Sequence, residues 1–517
     1  MKMKDIEMMT MELQQIFRPE WTCGRYNSEK QVAIMYNLIE GQVYFFEDIS
    51  AKVIGEFLKY RRNTEIHILE CLSPMGIPLD EIKSFIELLC SLHLLCPVYP
   101  SKEYIKAYRT QIIEMRKNNT NFSHASNNDE NMNTAERAYF DVVSDDFTIT
   151  NVMFELTYNC SERCLHCYNP GATRNDNEIS FRHKRNELTL EDYKHIIDEL
   201  DERGVVKVCL SGGDPFSKDV VWKVIDYLYK KEIAIDIFTN GLRLLGEEER
   251  LANYYPRLVG LSLYSGIPED HDRITNIRGS QETTIKVMER LSDFVVPMNL
   301  KCCIMRPNVK SYYTVKNIAK RIGAIPQFEL NITDSLDGDK CASRYLRLTP
   351  DMMEIVLQDE DIIKSLSLYE IASKEKVVEL GDKICGAGEN SFCITPEGNV
   401  QPCCAFPLIL GNLKEYTLLE LLEKSQNLKW WRRQTFKDFV ECYTHEYCVY
   451  CRMCPGNNYV ANKTPLKPSE NNCAIAKIKY VLSQKLKDGY DPLNGNTLEN
   501  RLQEIELQER ILHREYN

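Results

Sequence analysis

The chain has 517 residues, 43% of them hydrophobic and 27% charged, the balance of a soluble globular protein with room for roughly two to four domains. Its formal net charge of -12 argues against a nucleic-acid partner, which needs a basic footprint, and no apolar run is long enough to imply a membrane partner. The N-terminus has charge but no apolar core of a signal peptide, so a cytoplasmic location is expected; in that reducing compartment twenty cysteines read as metal or cluster ligands rather than structural disulfides.

The first patterned block covers residues 25–100. An apolar run at 32–38, a turn at Glu40 and Gly41, and a second run at 43–46 read as a β-hairpin, and residues 49–60, 65–71 and 79–92 have helical periodicity. Together they make a winged-helix-like α+β domain. Ten acidic against seven basic side chains over residues 25–98 disfavour a phosphate partner for it. The arrangement resembles the peptide-recognition element of the PqqD-like family. That resemblance implies that residues 25–100 bind the leader of a ribosomally made precursor peptide, added as a strand to the hairpin edge, with apolar pockets between strand and helix setting specificity. Residues 101–148 follow as a helix and flexible linker. Within them the polar stretch 117–135 holds too few large apolar side chains to offset its ordering entropy, and a flexible tether would present a bound peptide at raised effective concentration.

In the third block, residues 149–340, apolar runs at 152–156, 205–210, 233–238, 259–263, 298–304 and 328–332 are separated by stretches of helical period. Six βα units predict an α/β fold, a partial (βα)6 TIM-type barrel with its working groups on loops at the carboxyl ends of the strands. Cys160, Cys164 and Cys167 fall on the first such loop. A C-x3-C-x2-C loop can hold three irons of a [4Fe-4S] cube and leave the fourth without a protein ligand. Zinc is the competing reading, though it closes a tetrahedron with four ligands and usually takes paired C-x2-C units. The loop resembles that of the radical SAM superfamily. This implies that S-adenosyl-L-methionine chelates the open iron and that one electron, from a reductant such as flavodoxin or ferredoxin, releases a 5'-deoxyadenosyl radical able to abstract hydrogen from C–H bonds.

Gly212, Gly213 and Asp214 follow the second run. Adjacent glycines let backbone approach a ligand and a carboxylate can accept from an ammonium, although a plain turn into a helix begun by Pro215 is the alternative. The segment resembles the superfamily's glycine-rich loop that receives the methionine amino group, with Asp214 where Glu is commoner. Asn240 and Ser262, at the ends of the third and fourth runs, are the candidates for the cofactor's ribose and carboxylate, and Arg306 for its adenine end. His271 with Asp272, and Arg278 to Ser280, resemble a turn of the peptide-modifying members, helix capping being the alternative. His166 stands at a position usually aromatic in the superfamily, which implies packing on the cofactor rather than iron ligation.

Residues 341–480 carry Cys385, Cys403, Cys442, Cys448, Cys451, Cys454 and Cys473, with Gly398 five residues before Cys403. The pattern resembles a SPASM domain, with a zinc ribbon as the alternative. The resemblance implies a first auxiliary [4Fe-4S] cluster on Cys385, Cys403 and Cys454 and a second on Cys442, Cys448, Cys451 and Cys473, three clusters in all. The central C-x5-C-x2-C-x2-C departs from the commoner C-x2-C-x5-C, which leaves His445 as an alternative to Cys448. Cys404 is a candidate fourth ligand of the first auxiliary cluster. Cys71, Cys90, Cys96, Cys209, Cys302 and Cys303 read as small core residues. A helical tail closes the chain over residues 481–517, with Leu498, Leu502, Ile505 and Leu512 at helical spacing.

The three resemblances imply a radical SAM oxidoreductase that matures a precursor peptide. The segment from Cys385 to Cys403, with Ala405, Phe406 and Pro407 after it, looks most like sactipeptide-forming enzymes, which join a cysteine sulfur to an α-carbon. A different crosslink, epimerisation, or an anaerobic sulfatase-maturing activity are the alternatives. No residue stands out in the sequence as a general base.

Overall fold

The computed structural model describes residues 15–118, 134–145, 148–169, 186–336, 341–365, 379–451 and 453–515. The chain opens with β1 (Gln15–Phe17) and an antiparallel meander of β2 (Thr22–Asn27), β3 (Val32–Asn37) and β4 (Gln42–Glu47). The expected hairpin is β3 and β4, turned at Gly41, whose φ of 72° favours glycine. Helices Asp48–Leu58 and Leu79–Ser91 also form as expected. The helix expected at 65–71 splits instead. Glu65–His67 is β5, paired antiparallel with β1, and only Ile68–Leu72 is helical. The reason lies in the exposed, buried, exposed alternation of Glu65, Ile66 and His67, which is strand periodicity.

Alternation also divides the meander into two faces. Ala33 and Met35 pack with Ile54, Phe57, Ile86 and Leu89 of the helices. Cys23, Val32, Ile34, Tyr36 and Val43 turn the other way and share a core with Val206, Ala234, Tyr255 and Val295. Helix Lys102–Asn118 and a helical segment at 134–143 flank that second core, through Tyr108, Ile112 and Tyr139. The linker segment 119–133 lies outside the described residues.

Six parallel strands follow in sequential spatial order: β6 (Asn151–Thr157), β7 (Lys207–Gly212), β8 (Ala234–Thr239), β9 (Leu258–Ser262), β10 (Met298–Cys303) and β11 (Ile325–Glu329). Helices Leu190–Glu202, Val221–Lys230, Ser280–Asp293 and Tyr313–Ile322 cover the outer face, where Phe154, Leu210, Ile237, Leu261 and Leu300 join one core with Ile197, Ile225, Met288 and Val315. This is the partial barrel predicted from the six apolar runs. Five strands lie within two residues of expectation, and the sixth begins three residues early. Gly323, in the left-handed region, ends the preceding helix, so β11 starts at Ile325; the Glu329 carboxylate then accepts from the N–H groups of Leu330 and Asn331 and turns the chain out of the ladder.

The sheet does not stop at β6. β12 (Ser391–Ile394) pairs parallel with it, and β13 (Asn399–Gln401) and β14 (Gly411–Asn412) extend it antiparallel to nine strands. The cysteine-rich region is therefore hydrogen-bonded into the barrel sheet. The tail helix Leu498–Glu515 docks on the body through buried Ile505 and an ion pair from Arg501 to buried Asp359. Among the described residues no helix is long and apolar enough to cross a membrane.

The first domain sits on the amino ends of the barrel strands. Val206, Ala234, Tyr255 and Val295 all begin strands or lie within three residues before them. Arg25 donates to the carbonyls of Val205 and Lys231, Arg18 pairs with Glu232, and Arg109 donates to the Ala252 carbonyl. At the centre of the floor, Glu136 accepts from Tyr36 at 3.0 Å and pairs with Lys207, while Arg257 binds Asp236 through two nitrogens. Burial works against the Glu136 charge, but Lys207, Arg257 and the Tyr36 hydroxyl hold its carboxyl below the usual range.

Candidate cluster and cofactor site

The loop carrying Cys160, Cys164 and Cys167 leaves the carboxyl end of β6 and is tied down on two sides. Gly213 N–H donates to the Thr157 carbonyl at 2.7 Å and Asp214 N–H to that of Asn159 at 2.9 Å. On the other side Arg163 and Leu165 N–H groups donate to the carbonyls of Thr275 and Ile274, both at 2.9 Å, at the end of helix Pro268–Thr275. The glycine pair is required by this arrangement. A Cβ on Gly212 would stand 2.4 Å from the Thr157 carbonyl oxygen, and one on Gly213 would stand 2.4 Å from that of Asn159. The close approach the two glycines permit is thus to the cysteine loop itself.

The three thiols are secluded. Burial pushes Cys160 up to about 12 and Cys167 to about 11, and lifts Cys164 well above the usual range, with Glu162 and the other two sulfurs adding repulsion at Cys164. Three neighbouring thiolates in such a place would need a cation among them, a role that the iron of a cluster can fill. Around them buried polar atoms lack partners in the protein: Glu155 Oε1, Glu162 Oε1, His166 Nδ1, Asn169 Oδ1 and His271 Nε2. Burial raises Glu155 and Glu162 to about 7 and Asp214 to about 6, and lowers His166 and His271 to about 4. Unpartnered buried groups of this kind fit a polar ligand at the rim. Donor set and surroundings thus both suit a cluster with a polar cofactor.

The other expected residues share the rim but make definite contacts of their own. The Asp214 carboxylate accepts from Thr239 Oγ1 at 2.5 Å, joining the β7 loop to the end of β8. Asn240 Oδ1 accepts from Leu242 N–H at 2.9 Å, which leaves Nδ2 to donate to Cys160 Sγ at 3.2 Å and Ser161 Oγ at 3.3 Å. Ser262 ends β9 beside the Tyr264 hydroxyl, and Arg306 Nε donates to the Arg347 carbonyl at 2.8 Å. His166 meets the Tyr264 ring edge-on at 4.7 Å between centroids, and Tyr264 in turn stacks on His271. Asp272 caps helix Ser280–Asp293, accepting from Gly279 and Gln281 N–H and from Ser280 Oγ. Glu155 and Glu162 were missed in the sequence. The signal for Glu155 was a carboxylate on the bore-facing register of an otherwise apolar strand.

The Asn240 contact has a measurable consequence. An N–H donated to a ligating sulfur stabilises its negative charge and so raises the cluster's potential. For a cluster bound at Cys160, Cys164 and Cys167, replacing Asn240 with alanine is expected to shift the midpoint to a more negative value in an electron-paramagnetic redox titration. An unchanged midpoint would remove the assignment.

In the cysteine-rich region, Cys385, Cys403 and Cys454 lie near one another: burial lifts the Cys403 thiol well above the usual range, and Cys404, Cys454 and Cys385 add repulsion. Cys404 faces the barrel, where its neighbours are Glu155 and the Tyr168 hydroxyl. Gly456 lets the following helix abut this segment, since a Cβ there would stand 2.2 Å from the Ala405 carbonyl oxygen. The second group, Cys442, Cys448, Cys451 and Cys473, lines a cavity with about 340 Å³ of empty space, part of it open to solvent. His445 also lines it, stacked on Tyr447. Burial pushes Cys442 up to about 12, with repulsion from Cys448, Cys451 and Cys473. Among the described residues no group of His, Cys, Asp or Glu converges as the ligands of a single metal ion do; a cube spreads its ligands over separate corners.

Residues 154–307 match the Radical SAM superfamily, and residues 385–455 match the SPASM iron-sulfur cluster-binding domain. The antilisterial bacteriocin subtilosin biosynthesis protein AlbA of Bacillus subtilis is 26% identical over 337 residues, 63% of this chain and 70% of AlbA. The AdoMet-dependent heme synthase of Methanosarcina barkeri is 24% identical over 331 residues, 60% of this chain and 92% of that protein. The structure of hexahistidine-tagged anSMEcpe with bound AdoMet shares the fold, with a TM-score of 0.50 and 18% identity over 68% of this chain and 98% of that one. The two domains imply [4Fe-4S] clusters and S-adenosyl-L-methionine as cofactors. The three-cysteine loop on the barrel rim and the cysteine groups beyond it are thus parts of a radical SAM enzyme, built from a radical SAM domain and a SPASM domain.

Proposed function

We propose that this enzyme matures a ribosomally made precursor peptide, holding the leader on its first domain and joining a peptide cysteine sulfur to an α-carbon in the barrel. The observation that carries the reading is the edge of β4. Among the described residues β4 pairs only with β3, and beside it helix Leu79–Ser91 sets Phe85 edge-on to Phe46 with Leu88 half exposed. A strand added there gains main-chain hydrogen bonds and an apolar groove. The similarity to a bacteriocin biosynthesis protein supports the peptide substrate and the thioether.

In this reading Cys160, Cys164 and Cys167 hold the radical cluster, while Gly212, Gly213, Asp214, Asn240, Ser262 and Arg306 shape the cofactor's seat. Cys385, Cys403 and Cys454 hold the first auxiliary cluster, and Cys442, Cys448, Cys451 and Cys473 the second. When bound and reduced by a flavodoxin- or ferredoxin-like donor, the radical cluster and S-adenosyl-L-methionine supply hydrogen-atom abstraction. Forming the bridge removes a hydrogen atom from the α-carbon and a proton from the thiol, and leaves one electron, for which an auxiliary [4Fe-4S] cluster would be the acceptor. In this reading Glu155, buried with one carboxylate oxygen unpartnered, takes the proton.

High-resolution mass spectrometry of the precursor after anaerobic reaction in heavy water tests this. A loss of about two daltons per bridge, with fragmentation blocked across a cysteine, is expected. Deuterium gain without a crosslink would instead mean epimerisation, and an unchanged peptide despite 5'-deoxyadenosine release would sink the substrate assignment. A leaderless peptide modified as fast as the whole precursor would favour the sulfatase-maturing alternative. That comparison is cleaner than deleting the first domain, which would strip cover from Val206, Ala234, Tyr255 and Val295.

A further inference from the structure

The first domain and the cysteine loop lie at opposite ends of the barrel. Among the described residues the first domain meets the barrel at the amino ends of strands: Val205 and Val206 before β7, Glu232 before β8, Tyr255 before β9, and Val295 and Pro297 before β10. Cys160, Asp214, Asn240, Ser262 and Arg306 stand at or beyond the carboxyl ends of β6, β7, β8, β9 and β10. The floor between them is shut. Tyr36, Glu136, Lys207, Asp236 and Arg257 fill its centre with paired charges, all mostly buried, and the shared apolar core surrounds them. An extended peptide therefore has no path up the bore from below.

From these positions we infer that the precursor peptide carries a spacer of at least about nine residues between the segment held by β4 and the first residue modified. The meander lies face-on against the floor, so β4 stands below it by one packing layer, about 10 Å. The seven residues of β6 add about 20 Å from floor to rim. A fully extended chain covers at most about 3.6 Å per residue, so about 30 Å takes roughly nine residues even along a straight line, and the closed floor forces a longer path around the outside. The leader domain thus acts as a ruler. Because it shares a continuous core with the barrel, it cannot swing round to deliver a residue next to the leader.

This inference rests on the leader-binding reading, and the experiment separates the two. Precursors with one leader and one core are made with spacers of about three, six, nine and twelve residues. Binding of each to the full-length enzyme is followed by fluorescence anisotropy, with free leader as competitor, and modification by mass spectrometry. Equal affinities are expected throughout, with modification at least about 100-fold slower for the three- and six-residue spacers than for twelve, as befits a reacting group held out of position. Equal modification of the three-residue and twelve-residue precursors, with the leader bound in both, would overturn the ruler. Failure of the leader to bind at all would overturn the leader-binding reading and take the ruler's anchor with it.

Discussion

Replacing Gly213 with alanine is expected to cost the enzyme its radical cluster, with 5'-deoxyadenosine production falling by at least about 100-fold. The added Cβ would stand 2.4 Å from the Asn159 carbonyl oxygen and 2.6 Å from that of Tyr158, both in the backbone entering Cys160. No flexible side chain can give way, and hydrogen bonds from Gly213 and Asp214 N–H to this same segment resist separation. The loop must therefore move, and Cys160 with it. Iron content and the cluster's charge-transfer absorption should fall together with turnover, whereas the far-ultraviolet dichroism of the barrel should persist. Gly204 supplies the control. Its φ of 71° makes alanine cost roughly 1–2 kcal/mol, but nothing lies within 4 Å of the added carbon, so cluster and turnover should survive. Full iron occupancy and normal turnover in the Gly213→Ala enzyme would show that the loop accommodates the change.

Replacing Arg257 with methionine should destabilise the protein by about 3–5 kcal/mol, the cost of stranding buried charge. Arg257 donates from Nε to Asp236 Oδ1 at 2.8 Å, binds the other carboxylate oxygen through a second nitrogen, and lies 3.9 Å from Glu136. With the guanidinium gone, Asp236 faces the floor core unpaired, at 6% exposure. The pair itself is worth less than this penalty, because two charges had to leave water to form it. A second change, Asp236→Asn, should therefore recover part of the loss, and the double variant should denature at higher urea than Arg257→Met alone. Additive losses would mean that the two side chains do not act as a pair.

Much of the architecture was legible because it is written in short-range patterns. Buried parallel strands read as continuous apolar runs, and five of the six were placed within two residues. The sixth slipped because Leu330 and Ile332 extend the apolar run, whereas the strand is ended by the Glu329 carboxylate capping the next two N–H groups. Residues 65–71 misled in the opposite sense. Three residues support either period, and only pairing with β1, about fifty residues away, decides for strand. The cysteine spacings separated the groups now seen on the rim, beside Cys403, and around the C-terminal cavity. They did not show which way Cys404 faces, since it lies in a turn closed by Phe406 N–H donating to the Cys403 carbonyl, and only the fold shows which side holds Glu155 and Tyr168.

The sequence alone was enough to specify a radical SAM barrel with an attached cluster domain, because ligand identity and spacing along a loop are local properties that chemistry constrains directly. The tertiary structure decided what those ligands rest against. It showed that the glycine pair serves the cysteine loop, that Asn240 donates to a cysteine sulfur, and that the cluster domain continues the barrel sheet beyond β6. It also put the first domain on the floor, opposite the rim. Such facts arise from contacts between residues far apart in the chain, where burial and closure select one arrangement among many that the local patterns allow.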